Sequence, residues 1–275
     1  MNWQPKALAL DIDGTLLQWV EGRGVTHEVV PPAVFDAVRR AAAAGCHIIL
    51  ASGRSPLSMA KIGGLLELPL AGQDRLWLAA SNGGVICRTP PMTVEHEETF
   101  DASEAVYALL ERYPDALVAV EERGVGYRLN SHFPVGELDG EMILAPVAEL
   151  VKEPVSRVII RDPTVTAEDF LAGSDELGLH GINYVVGWTA WLDLTPIGVS
   201  KASGLQYICD EIGITAAEVL AIGDGRNDIE MFEWAGRSVA MGQAPDDVKA
   251  YADEVTLTVD EDGAAVEINR WFPPS

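Results

Sequence analysis

The sequence predicts an α/β protein, an open parallel sheet with an α+β segment inserted into it. Three observations predict this. Apolar runs at residues 7–10, 47–51, 76–80 and 219–222 are too short for helices and read as buried strands. A helical pattern separates the first two, and a strand, a helix and a strand in that order form a right-handed parallel unit. Between residues 84 and 189 the composition shifts to short alternating strands and helical stretches.

The first run, Ala7 to Leu10, ends in Asp11-Ile12-Asp13-Gly14-Thr15. Gly14 permits a tight turn that other residues resist. In an open parallel sheet chemistry collects where strands end. Side chains alternate along a strand, so Asp11 and Asp13 can point to the same side. One can then attack a substrate or hold a metal while the other handles a proton. Such a pair also caps ordinary turns, but Gly14-Thr15 and three later motifs favour chemistry. A loop over residues 22–30 follows. Pro31-Pro32 opens a helix, Ala33 to Ala44, with an apolar stripe of Val34, Ala37, Val38 and Ala41, closed by Gly45.

The second strand, His47 to Ala51, runs into Ser52-Gly53-Arg54-Ser55-Pro56. Ser55 suits an N-cap and Pro56 the first helical position. The Ser52 hydroxyl therefore sits beside a helix start, where free N–H groups attract anions. The third strand, Leu76 to Ala80, meets Ser81-Asn82-Gly83-Gly84, whose double glycine marks a hinge out of the sheet. A new strand, Val85 to Cys87, begins there.

In the insert, strands are expected at 117–121, 126–129, 155–160 and 182–186, with helical stretches near 102–112, 145–151 and 166–177. Glu121, Glu122, Arg123, Tyr127, Arg128, Asn130, His132, Arg157 and Trp188 are polar or aromatic residues that can face a substrate, or equally the surface or the core. A second hinge is expected near 187–191, and Trp191 to Pro196 leads the chain back. Ser200 caps a helix whose Leu205, Ile208, Cys209 and Ile212 keep helical spacing. Lys201 in its first turn opposes the helix dipole. A lysine needed for an incoming anion explains that placement better than a solvated one. The strand Val219 to Ile222 ends in Gly223-Asp224-Gly225-Arg226-Asn227-Asp228, and acids with an amide at a strand end suit a hard divalent cation. A helix to Ala235, a strand from Ser238 to Met241, a helix from Asp246 to Ala252, a strand from Val255 to Val259 and a last helix complete the chain.

Composition bounds the function. Nineteen Lys and Arg against 42 Asp and Glu give a formal charge of −23. Such a chain repels nucleic acid and anionic membranes, so neither is an expected partner. Any phosphate site needs local cations. Cys46, Cys87 and Cys209 are scattered and suit a reducing compartment rather than a disulfide framework or a zinc site. The start of the chain enters the first strand without a basic-then-apolar leader, and no run approaches bilayer length. A soluble, cytoplasmic protein is expected.

Together, Asp11-Ile12-Asp13-Gly14-Thr15, Ala51-Ser52-Gly53-Arg54, Lys201 within Gly198-Val199-Ser200-Lys201, and Gly223 to Asp228 resemble the four motifs of the haloacid dehalogenase superfamily, in its Cof-like branch with a large α+β cap. The order matches, and each motif lies at a strand end or helix start. The resemblance implies a doubly wound parallel core over residues 1–83 and 190–275, with a substrate-selecting cap over residues 84–189. It implies a phosphatase acting on a small phosphorylated metabolite such as a sugar phosphate, with phosphoglycolate, pyridoxal phosphate or flavin mononucleotide as alternatives. Asp11 would be the nucleophile and Asp13 the general acid and base. Mg²⁺ would lie on Asp11, the Asp13 carbonyl, Asp224 and Asp228. Ser52, Gly53, Lys201 and Asn227 would hold the phosphoryl group. A monomer or homodimer is expected. A non-catalytic phospho-acceptor or binding protein is the rival from another class, and Asp13 and the cap argue against it.

Overall fold

The computed structural model describes residues 3–20, 25–122, 125–162, 164–166, 182–186 and 191–274. β1 (Ala7–Leu10) is followed by a small hairpin, β2 (Trp19–Val20) and β3 (Val25–Thr26). The helix α1 (Pro32–Ala43), β4 (His47–Ala51), α2 (Pro56–Leu65) and β5 (Leu76–Ala80) come next. After a turn at Ser81–Gly83 the chain forms β6 (Val85–Thr89) and β7 (Thr93–Glu97).

A second sheet follows. It contains β8 (Leu117–Glu122), β9 (Gly126–Leu129), β10 (Glu141–Leu144), β11 (Val158–Arg161), β12 (Ile182–Val186) and β13 (Trp191–Pro196). The helices α3 (Ser103–Arg112) and α4 (Val147–Leu150) accompany it. The chain then returns through α5 (Lys201–Ile212), β14 (Val219–Gly223), α6 (Ile229–Trp234), β15 (Arg237–Ala240), α7 (Asp246–Lys249), β16 (Glu254–Val255) and α8 (Gly263–Trp271).

The first sheet has the order β16-β15-β14-β1-β4-β5-β6-β7 and is parallel from β16 to β5. From β1 the chain steps outward through β4 and β5, then returns to β14 on the other side of β1. Strand order therefore reverses at β1, and the loops after β1, β4 and β14 face one another across that switch point. The apolar runs are buried on both faces, as a doubly wound sheet requires. Leu8, Leu10, Ile48 and Leu50 pack with Val34, Val38, Ala264 and Ile268 of α1 and α8. Ala9, Ile49 and Ala221 pack on the opposite face with Leu205, Ile208, Met231 and Phe232 of α5 and α6.

The expected changeover between the two parts moves at both ends. β6 and β7 stay with the first sheet as antiparallel strands beyond β5, because the turn at Ser81–Gly83 reverses the chain instead of releasing it. At the return, Trp191–Pro196 pairs with β11 and β12 in the second sheet. Its Leu192 and Leu194 join the core formed by Val118, Val120, Val158 and Ile160 beneath α3. The second sheet, β10-β9-β8-β11-β13-β12, is antiparallel except between β9 and β10. β10 is a strand that the sequence does not reveal: its four residues are all exposed, so no alternation marks it. The strand expected over 155–160 begins at Val158, and that over 255–259 is reduced to the pair Glu254–Val255. The helical stretch expected over 166–177 and the hinge near 187–191 lie almost wholly outside the described residues. Among the described residues no helix is long and apolar enough to cross a membrane.

Candidate active site

Asp11 follows the last residue of β1 and is 5% exposed. The turn behind it closes when the N–H groups of Leu16 and Leu17 donate to the Ile12 carbonyl. Gly14 adopts φ +82°, and a Cβ there would lie 2.1 Å from Asp224 Oδ2. Only glycine gives both the left-handed turn and that approach of the first and fourth motif loops.

Lys201 is fully buried. Its Nζ donates to Asp11 Oδ1 and to Asp228 Oδ1, at 2.6 Å each. α5 is brought close by small residues: a Cβ on Gly83 would lie 2.1 Å from the Ser200 carbonyl, and one on Gly204 2.8 Å from Gly83 Cα. The Ser200 side chain accepts from the Ser203 N–H, which fixes the helix start where Lys201 enters the site. The other oxygen of Asp228 accepts from the N–H groups of Asp224 (2.9 Å) and Gly225 (2.8 Å). Asp224 Oδ2 accepts from Gln243 at 3.3 Å and from the Trp19 indole at 3.5 Å.

The electrostatics of this cluster are severe. Burial pushes the Asp11 carboxyl well above the usual range, and Asp228, Asp224 and Asp13 push it further against the pull of Lys201. Burial and then Asp228 push Asp224 up to about 7. Burial alone would lower Lys201, but Asp11 and Asp228 more than offset it and keep the ammonium protonated. Oxygens of Asp11, Asp224 and Asp228 lie within 4.8 Å of one another. Three buried carboxylates against one ammonium form a hard-oxygen donor set with excess negative charge, which suits a divalent cation.

Asp13 has different company. Arg54 grips its carboxylate as a fork, Nη2 to Oδ1 at 2.6 Å and Nε to Oδ2 at 2.8 Å, and the Thr26 hydroxyl donates to Oδ1 at 2.8 Å. Arg54 also donates to Ser58 and Glu28. The Ser52 hydroxyl accepts from the Arg54 N–H at 3.2 Å. Among the described residues no protein acceptor meets the Gly53 N–H. Asn227 Nδ2 donates to Asn82 Oδ1 at 2.9 Å.

Several of these partners escape sequence reasoning. Trp19 and Thr26 lie on strands of two residues, too short to show a period. Arg54 is visible in its motif, but nothing local indicates that it reaches Asp13. Asn82 was legible only as part of a hinge. In the second sheet, Glu121 and Arg157 form a buried network. Arg157 donates to Asp193 at 2.8 Å and lies 3.7 Å from Glu121, which accepts from the Ser81 hydroxyl at 2.6 Å. Tyr127 is buried beside Ser55 of the first sheet's loops. Asn130 instead stitches backbone, donating to Ala116 and accepting from Val118, and Arg128 pairs with Glu122 at the surface. His132 is exposed. Arg123 and Trp188 lie outside the described residues. Burial pushes all three cysteine thiols up to about 12, so none is a ready nucleophile.

This arrangement matches, over residues 8–268, the family described as haloacid dehalogenase-like hydrolase. The chain belongs to that family. A 5-amino-6-(5-phospho-D-ribitylamino)uracil phosphatase of Bacillus subtilis is 25% identical, the alignment covering 97% of this chain and 95% of that protein. A crystal structure of a haloacid dehalogenase-like hydrolase from Bacteroides thetaiotaomicron matches with TM-score 0.78 at 27% identity, covering 98% of this chain and 100% of the other. A structure described as a subclass IIB sugar phosphatase of the superfamily has the same fold, with TM-score 0.76 at 24% identity over 96% and 98% of the two chains.

Proposed function

We propose that this hydrolase is a Mg²⁺-dependent phosphatase that cleaves a small phosphomonoester through an aspartyl-phosphate on Asp11. The observation that carries the reading is the placement of Asp11: a buried carboxylate at the switch point, paired with Lys201 and flanked by Asp224 and Asp228. The donor set fits a hard cation, and Asp11, Asp224, Asp228 and the main chain at Asp13 would hold it. Once bound, Mg²⁺ would offset the repulsion between Asp11 and an anionic substrate.

The chain's own groups supply the rest. Asp11 attacks phosphorus as the ester oxygen departs, and Asp13 gives that oxygen a proton. Water then attacks the aspartyl-phosphate, Asp13 takes its proton, and inorganic phosphate leaves with Asp11 restored. The ammonium of Lys201, the Ser52 hydroxyl and the Gly53 N–H favour the charge that collects on the phosphoryl oxygens. Arg54 donates to both oxygens of Asp13, so at least one of those bonds must open before Asp13 hands a proton to the leaving group.

The segment carrying the second sheet serves as the cap. Its Glu121 accepts from Ser81 of the first sheet's loops, and closure there would exclude water. The B. subtilis relative and the sugar phosphatase fold support a phosphorylated sugar or polyol as substrate, with cofactor phosphates and phosphoglycolate as the alternatives.

A stability test follows from the acids. Asp224 is pushed up to about 7 from an ordinary carboxyl value of about 4, and Asp11 shifts the same way. Between these values the unfolded chain has lost the proton and the folded one keeps it, so stability falls as pH rises from about 4 to about 7. Mg²⁺ binds the ionised acids and should therefore raise the melting temperature more at pH 8 than at pH 5. At about 100 times its Kd the ion contributes about 2.7 kcal/mol. Melting curves with Mg²⁺ or chelator at both pH values check this; an equal effect of Mg²⁺ at both would remove the metal from these carboxylates.

A further inference from the structure

We propose that the side-chain amide of Asn82 binds an oxygen of the transferred phosphoryl group. The proposal rests on the phosphatase reading above and adds a contact to it.

The backbone at this point is forced. Ser81, Asn82 and Gly83 have φ of 51°, 55° and 91°, three successive residues in the left-handed region. Two of them are not glycine, and such strain persists only where the surroundings impose it. The surroundings are the site loops. The Asn82 N–H donates to the Ser52 carbonyl at 3.0 Å. The Asn82 amide lies over Gly53, where an added Cβ would sit 3.3 Å from Oδ1 and 3.4 Å from Nδ2. Its oxygen accepts from Asn227 of the fourth motif. In this pairing Asn227 donates and Asn82 accepts, so the Asn82 Nδ2 points away from Asn227. The bond takes one of the two Nδ2 hydrogens of Asn227 and leaves the other for phosphate.

What remains is an unmet donor. Asn82 is 6% exposed, yet among the described residues no acceptor meets its Nδ2. An amide donor left open at the wall of the site can meet whatever acceptor enters it. The neighbouring Gly53 N–H is unmet in the same way. Two adjacent donors beside the Ser52 hydroxyl call for an acceptor, and an anionic oxygen satisfies both at once. A cation has no place between them.

Asn82→Gly and Asn82→Asp both tolerate the left-handed backbone, so each should fold. Glycine deletes the donor. Aspartate keeps the shape and the oxygen that Asn227 binds, but turns the donor into a negative charge. The measurement is inhibition by inorganic phosphate of Mg²⁺-supported aryl phosphate hydrolysis, with melting temperatures as the check on folding. We expect about ten-fold weaker phosphate inhibition for Asn82→Gly, a charged hydrogen bond lost, and a larger loss for Asn82→Asp. If Asn82 merely props the turn, Asn82→Asp keeps phosphate affinity at or near the unmodified value, and that result overturns the proposal. As a second measurement, the Asn82 side-chain amide resonances of the unmodified protein should shift when inorganic phosphate is added; resonances that stay fixed overturn it too. An unmodified protein that neither hydrolyses an aryl phosphate nor binds phosphate overturns the phosphatase reading itself, a different and recognisable failure.

Discussion

Asp11→Asn is expected to lower kcat by a factor on the order of 10⁴ or more while leaving the protein folded and no less stable. The loss is large because the amide is a poor nucleophile and no other described group holds its place: Asp224 and Asp228 are committed to Gln243, Trp19, Lys201 and backbone donors. Stability should not fall, because Asp11 carries an unfavourable burial. Desolvation and three neighbouring acids push its carboxyl up against the attraction of Lys201, and an isosteric amide removes that repulsion. Lys201 keeps Asp228 as its partner. Activity sites commonly hold such destabilising groups. Steady-state kinetics with urea unfolding checks both halves. A mutant with a large share of the activity would remove Asp11 from the chemistry.

Lys201→Met should have the opposite balance. The substitution keeps an unbranched side chain of similar reach and deletes the only ammonium of the described cluster. Asp11 and Asp228, each 2.6 Å from Nζ, would be left buried without a counter-charge. Removing one partner of a buried pair costs about 3–5 kcal/mol. The cost should be largest near pH 8 and smaller near pH 5, where the freed Asp11 binds a proton instead. Turnover should also drop by about 10²–10³, the scale of one lost charge-stabilising donor. Urea unfolding at the two pH values separates this from a packing defect, which would destabilise equally at both.

What the sequence discloses here is what is local. The strands of the first sheet stand out because Ala7–Leu10, His47–Ala51 and Val219–Gly223 are unbroken apolar runs, and each ends in residues that favour turns. Once those strands lie side by side, Asp11, Ser52 and Asp224 must converge, since each is the first residue past β1 or a strand beside it. Lys201 was legible because a cation is out of place in a first turn. The remainder depends on contacts between distant parts of the chain. Arg54 reaches Asp13 across 41 positions. Asn82 gains its significance only when Gly53 and Asn227 close around it. The end of the first sheet was misplaced because a double glycine reads equally as a hinge or as a reversal, and here the chain reverses to form β6. Likewise Trp191–Pro196 carries no mark that distinguishes a returning linker from a strand filling the gap between β11 and β12.

The most direct test of the aspartyl-phosphate is to trap it. Asp13→Asn removes the acid and the base together. An aryl phosphate has a good leaving group and can still phosphorylate Asp11 without acid help, whereas hydrolysis of the intermediate lacks its base. The mutant is mixed with an aryl phosphate and Mg²⁺, quenched in acid, digested and examined by mass spectrometry. The expected result is the peptide spanning Asp11 carrying one phosphoryl group, with alkyl phosphates giving little product. Turnover of alkyl phosphates at the unmodified rate, with no phosphoryl group on Asp11, would contradict the mechanism.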